Sequence, residues 1–235
     1  MSASKVVIDA DSFAHIAVAH ERETGDIDST VADFYKMIDS VIAEYVQFRG
    51  DPDIVRIIFS PHRTFRNELT DEYKINRRTE HPWIPLVKSA VLESARNAEM
   101  WKGLEADDIC IAYQKYYDYD IIAYDKDVLL QATGFVYNWK KRNLIDDPYR
   151  DVERNIWLQT IMGDSTDGIK GVSQLGKVRA GKYLDQTEDV HPDDILELFD
   201  DDEERMLETM RLISLHQLDQ DFNLLMYESI YDNLM

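Results

Sequence analysis

Three short apolar runs constrain this chain more than any other feature. Residues 6–8 (Val-Val-Ile), 54–59 and 120–124 are rich in β-branched residues and lack polar alternation. Runs of that kind are strands covered on both faces. Two of them stop at an acid, Asp9 and Asp125. Helical patterns lie between them. Phe34, Ile38, Val41, Ile42 and Tyr45 recur at helical spacing within 31–48, and residues 84–100 and 105–117 read the same way. Residues 135–139 supply a fourth strand. Strands alternating with helices imply an α/β fold with a mainly parallel sheet. Sites in such sheets form beyond the carboxyl ends of the strands, and Asp9 and Asp125 fall at that edge.

Nine carboxylates fall into four clusters: Asp9 and Asp11; Glu105, Asp107 and Asp108; Asp125 and Asp127; Asp164 and Asp167. As bare anions in one concave site they would repel one another and lose hydration, a cost of several kcal/mol. Hard divalent cations such as Mg²⁺ or Mn²⁺ remove that objection, since they take oxygen ligands and are completed by substrate phosphate. Each cluster alone has a plainer reading. Residues 105–108 suit acidic capping of a helix N-terminus, Asp125 and Asp127 suit a turn, and Asp164 and Asp167 suit a loop ending a helix.

A net charge of -20 speaks against a polyanionic partner only if it is spread evenly. Residues 185–235 hold sixteen acids and two bases, a balance of -14 that reads as a solvated helical face. In residues 1–184, once the nine clustered acids are assigned to metal, twenty-four bases face twenty-one acids, a balance of +3. Local field, not global charge, decides whether nucleic acid approaches. The single cysteine, Cys110, excludes an internal disulfide and fits a reducing compartment. No apolar stretch reaches the ~20 residues that span a bilayer. No signal-peptide pattern is present, so a soluble cytoplasmic protein is expected.

Residues 61–85 leave the core as a polar, basic and aromatic excursion in which Arg66, Tyr73, Lys74, Arg77 and Arg78 mix cations with a ring, a combination suited to phosphate contact and base stacking. A solvated basic face is the competing reading. The glycine-rich run 168–176 precedes a basic helix carrying Lys177, Arg179 and Lys182. Glycine lets backbone amides approach a phosphate, and a helix N-terminus adds a favourable dipole. A simple interhelical loop is the alternative. His15, His62 and His81 lack zinc spacing, and Cys110 reads as a packed thiol.

In order, the chain carries Val-Ile-Asp9, Glu-Tyr73-Lys74-x-Asn-Arg77, Leu-Glu105-Ala-Asp107-Asp108, Asp125-Lys-Asp127 and Met-Gly-Asp164-x-x-Asp167-Gly-Ile-x-Gly171-Val. This succession resembles the flap endonuclease and 5′→3′ exonuclease family, which includes the 5′-nuclease domain of bacterial DNA polymerase I. The likeness is strongest to the short stand-alone phage members. It implies a PIN-like 5′-nuclease domain over 1–184, with a helical arch at about 61–85 and a helix–three-turn–helix element at about 152–184. An acidic helical segment, 185–235, would follow.

The resemblance also implies site roles. Asp9, Glu105, Asp107 and Asp108 would serve a first metal, Asp125 and Asp127 would lie between sites, and Asp164 and Asp167 would serve a second. Lys74, Arg77 and Asp127 would be catalytic. Tyr73, Arg66, Arg78, Lys170, Gly171, Gly176, Lys177, Arg179 and Lys182 would contact substrate. The implied cofactors are two Mg²⁺ or Mn²⁺ ions and a monovalent cation at the 168–176 turn. The implied partner is duplex DNA with a 5′ flap, nick or end, with RNA/DNA hybrid as a further substrate. A monomer in the cytoplasm, the host's if the chain is phage-encoded, completes the expectation. Two departures stand out. Ser60 and Pro61 occupy the place after the second strand where the family usually has Asp, with Asp11 as a substitute ligand or a helix cap. Gln174 replaces a frequent Gly. A non-catalytic DNA-end or junction-binding relative and an RNA-cleaving PIN-type nuclease remain as alternatives.

Overall fold

The computed structural model describes residues 4–20, 26–75, 80–95, 97–147, 149–187 and 190–225. In chain order the elements are β1 (Lys5–Asp9), α1 (Asp11–His20), α2 (Ile27–Arg49), β2 (Ile54–Phe59), α3 (Arg66–Leu69), α4 (Trp83–Ser94), β3 (Ala98–Met100), α5 (Ala106–Tyr117), β4 (Asp120–Ala123), α6 (Lys126–Gln131), β5 (Val136–Asn138) and β6 (Asn143–Ile145). They continue as α7 (Val152–Met162), β7 (Gly163–Asp164), β8 (Ile169–Lys170), α8 (Lys177–Gln186), α9 (Pro192–Leu198) and α10 (Glu203–Ile213). Two compact units result, Met1–His62 with Thr79–Pro148, and Arg63–Arg78 with Tyr149–Met235.

The first unit is built on a sheet of order β3-β2-β1-β4-β5-β6, parallel except for β6. Period two divides each strand between two apolar layers. Val6, Ile8, Ile57, Phe59, Ile122 and Tyr137 join Phe13, Ala17, Phe34, Ile38, Tyr45, Val87 and Val91 of α1, α2 and α4 in one cluster. Val7, Ile58 and Ile121 alternate with them, are fully buried, and lie on strands against which α5 packs. Burial on both faces explains why these strands read as unbroken apolar runs. Tyr45 Oη and Arg49 Nε both donate to Asp120 Oδ2, at 2.5 and 2.9 Å, and pin α2 to the start of β4. The helix expected over 84–100 ends at Ser94. Apolar spacing lapses after Leu92, and Ala98–Met100 instead pair with β2 as an edge strand.

The second unit gathers α7, α8, α9 and α10 around Ile156, Trp157, Ile161, Ala180, Leu184, Ile195, Phe199, Met206 and Met210. The partition therefore does not fall at 184/185, because the acidic C-terminal helices close the same core as α7 and α8. Their acids stay outside: Asp193 and residues 200–204 are exposed while Ile195, Phe199 and Met206 are buried. Between α7 and α8 the chain makes the β7–β8 hairpin and further turns. In the 61–85 excursion the described residues comprise the one-turn α3, the turn at 71–75 and the start of α4. Arg77 and Arg78 lie outside the described residues.

Candidate functional site

Strand β1 delivers Asp9 to the carboxyl edge of the sheet, where it is 8% exposed. Its Oδ1 accepts the Asp11 N–H at 3.2 Å. Burial above all, then the neighbouring Asp11 carboxylate, push the Asp9 pKa up to about 8; the Asp11 N–H opposes them, Asp125 adds a lesser push and Lys88 a lesser pull down. Asp125 follows β4, caps α6 and accepts the Asp127 N–H at 2.8 Å through Oδ1.

Helix α5 opens on a capping box, in which the Glu105 side chain accepts the Asp108 N–H and Asp108 Oδ2 accepts the Glu105 N–H at 3.2 Å. The capping reading thus holds for these two acids. Asp108 is fully buried, Glu105 is 7% exposed and Asp107 is half-buried.

Ser60 makes the link between β2 and α5. Its Oγ accepts the Ala106 N–H at 2.9 Å, one of the helix-end amides that lack an intrahelical partner. Its own N–H lies 3.2 Å from both Asp11 carboxylate oxygens. Lys88 on α4 completes the group, 2.8 Å from Asp11 Oδ1 and donating to the Ser60 carbonyl at 3.0 Å. Sequence reasoning assigned Lys88 no role. The available signal was a lysine four residues after buried Ile84 and one after buried Val87, on the flank of an apolar helix face.

In the second unit, Asp164 Oδ1 accepts the N–H of Thr166 at 2.7 Å and of Asp167 at 3.4 Å. The Lys74 N–H donates to the Asp167 carbonyl at 2.7 Å, and its ammonium is 3.9 Å from Asp167 Oδ2. Lys74 holds a left-handed φ of 57° in that turn. Gly168, at φ 76°, backs onto the Glu72 carbonyl oxygen, where a Cβ would clash. The Lys74 segment is thus locked against the β7–β8 hairpin.

Two expected substrate contacts do not survive. Arg66 is 1% exposed, and its Nε and Nη2 each donate at 2.9 Å, to the carbonyls of Leu212 and Ser214. It ties α3 to the end of α10 because those carbonyls lack helical partners. Tyr73 is 5% exposed among Ile169, Leu212 and Ile213, so its ring offers no stacking surface. Lys177, Arg179 and Lys182 are exposed on α8, which starts after Gly176. Lys170 is also exposed but pairs with Glu72 at 2.6 Å. Gln174 takes a left-handed φ of 63°, the conformation that favours glycine.

Among the described residues, no three His, Cys, Asp or Glu side chains converge closely enough to hold a metal ion as they stand. The donor chemistry nevertheless fits a hard divalent cation, because a buried Asp9 beside Asp11 and Asp125 is an all-oxygen set whose charge calls for compensation. Cys110 is no competitor. Burial first, then the surrounding acids, raise its thiol pKa well above the usual value, so the thiolate is suppressed.

No protein-family profile matches the chain. It is 27% identical over 173 residues to the 5′-3′ exonuclease of Buchnera aphidicola subsp. Acyrthosiphon pisum (strain APS), covering 66% of this chain and 59% of that protein. It is 30% identical over 159 residues to DNA polymerase I of Rhizobium leguminosarum, covering 59% of this chain and 16% of that protein. The chain therefore spans less than two thirds of these relatives. Among solved structures, the T5 D15 protein co-crystallised with metal ions superimposes with a TM-score of 0.66 at 19% identity, covering 90% of this chain and 89% of that one. The catalytic core of Rad2 in complex with DNA substrate gives 0.57 at 14% identity, covering 99% and 87%. The fold is shared with these proteins. Among the described residues, no helix is long and apolar enough to cross a membrane.

Proposed function

We propose that this chain, a relative of the flap endonuclease and 5′→3′ exonuclease family by sequence and fold, hydrolyses phosphodiesters near the 5′ ends of DNA with divalent metal. The observation that carries the reading is Asp9: a carboxyl buried at the carboxyl edge of a parallel sheet, pushed up to about 8 by burial and by Asp11 and Asp125. Such an arrangement serves a cation better than a fold. Asp9, Glu105, Asp107 and Asp108 would hold one ion, Asp125 and Asp127 would lie between the ions, and Asp164 and Asp167 would serve a second. Bound there, Mg²⁺ or Mn²⁺ would supply a water of lowered pKa and a Lewis acid for the leaving oxygen.

The chain's own groups do the rest. Lys74, preset by its hydrogen bond to the Asp167 carbonyl, would offset charge developing on the scissile phosphate, with Arg77 as its partner. Lys177, Arg179 and Lys182 and the free amides at the start of α8 would grip the duplex backbone without reading sequence. A monovalent cation at the 168–176 turn would strengthen that grip. Flaps, nicks and duplex ends are the proposed substrates, and RNA primers on DNA are a further one.

One observation favours a second reading. The place after β2 holds the Ser60 hydroxyl, committed to the Ala106 amide, and no carboxylate. A DNA-end or junction binder without catalysis would tolerate that. End-labelled 5′ flap, nicked duplex and single-stranded RNA, each with Mg²⁺, Mn²⁺ or chelator, separate the readings. Metal-dependent cleavage of the flap supports the nuclease. Retained DNA binding without cleavage supports the binder, and preference for single-stranded RNA supports an RNA-cleaving PIN-type enzyme.

A further inference from the structure

Lys88 has no part in the proposed chemistry, yet it is placed as carefully as any residue in the first unit. Its side chain is 11% exposed, and its ammonium lies 2.8 Å from Asp11 Oδ1, 3.0 Å from the Ser60 carbonyl oxygen and 3.9 Å from Glu80 Oε1. The Phe59 ring centroid is 5.9 Å away. A half-buried lysine normally extends its charge to water. This one turns its charge to the sheet edge where Asp9 ends β1.

Asp11 is engaged from two sides. Both its oxygens face the Ser60 N–H at 3.2 Å, and Oδ1 also meets Lys88. These contacts occupy much of a carboxylate's acceptor capacity. Asp11 in turn adjoins Asp9, whose Oδ1 accepts the Asp11 N–H at 3.2 Å. The ammonium is thus within electrostatic reach of the same carboxylate that the preceding reading gives to metal.

We propose that Lys88 is a built-in cation of this carboxylate group, a positioning residue that holds Asp11 on the Ser60 amide and away from a divalent ion at Asp9 and Asp125, and so sets how tightly that ion binds. The proposal rests on the metal-dependent reading above. A fixed positive charge repels an incoming divalent ion and neutralises one of the anions that would attract it. Removing it should therefore tighten metal binding, whereas a purely structural lysine would weaken or not alter it.

The test is Mn²⁺ binding by the full chain, followed by loss of the free-ion paramagnetic resonance signal and by calorimetry. Thermal melts confirm that each variant is folded. Lys88→Arg, which keeps the charge, is expected to match the wild type. Lys88→Met is expected to bind Mn²⁺ at least about fivefold more tightly at low salt. Lys88→Gln takes its place if the Met variant does not fold. Adding Asp11→Asn to Lys88→Met removes the pair as a neutral unit and should return affinity to within about twofold of the wild type. Unchanged or weaker binding by Lys88→Met overturns the proposal, as does a double variant that keeps the full gain. If neither the wild type nor any variant binds Mn²⁺, the metal-dependent reading fails first, a distinct result.

Discussion

The Ser60 hydroxyl oxygen accepts the Ala106 N–H at 2.9 Å, joining the end of β2 to the first turn of α5. The residue standing where an acid is usual in the family is therefore a tie between strand and helix. Ser60→Ala leaves that amide without its acceptor and should cost about 1 kcal/mol, as loss of a helix-end acceptor does. For a chain of this size the melting temperature should fall by about 2–4 °C, measured by circular dichroism. An unchanged melt would mean that water replaces the hydroxyl.

Asp9 predicts a pH dependence of stability. Its folded pKa is raised from 3.8 to about 8, so the folded state holds the proton more tightly than the unfolded chain. The stabilising contribution is complete below about pH 4 and is lost as pH rises towards 8. In chelator, the wild-type melting temperature should decline across that window more steeply than that of Asp9→Asn. Parallel curves would show that the two states hold this proton alike.

Arg66 should matter for folding and not for DNA. Arg66→Ala removes a buried guanidinium and takes a donor from the carbonyls of Leu212 and Ser214, the latter keeping the Gln217 amide at 2.8 Å, a loss of about 2–4 kcal/mol. The salt dependence of DNA binding by the folded variant should be unchanged, because no phosphate contact is removed. A slope reduced by about one unit would restore Arg66 to the interface.

The turn before α8 offers a paired comparison. Gly168→Ala places a Cβ on the Glu72 carbonyl at a φ of 76° and should destabilise by about 2 kcal/mol or more. Gln174→Gly, at a φ of 63°, relieves a left-handed side chain and should be neutral or mildly stabilising in the same melts. Loss of stability by Gln174→Gly would mean that the glutamine side chain contributes through its contacts.

The strands were legible because burial on both faces leaves an unbroken apolar run, as in Val6, Val7 and Ile8. Asp9 and Asp125 were legible because each follows such a run. The three-residue β3 and β6 were not, since edge strands that short carry no period. Arg66 and Tyr73 misled for another reason: a cation and a ring in a polar segment look like a substrate surface. What buries them is α10, some 140 residues later, and local pattern carries no trace of that contact. Glu105 and Asp108 read both ways in sequence, and the structure gives them a capping role. Lys88 escaped notice because a single lysine in an amphipathic helix is ordinary until its partners are known.

The most direct test of the central claim is single-turnover cleavage of an end-labelled 5′-flap DNA, comparing wild type and Asp9→Asn with Mg²⁺ or with chelator. The account predicts cleavage near the 5′ end by the wild type with Mg²⁺, none with chelator, and a rate for folded Asp9→Asn lower by at least about a thousandfold, as expected when a group organising the reaction centre is removed. Wild-type cleavage that persists in chelator, or an Asp9→Asn variant that cuts at near the wild-type rate, would contradict it.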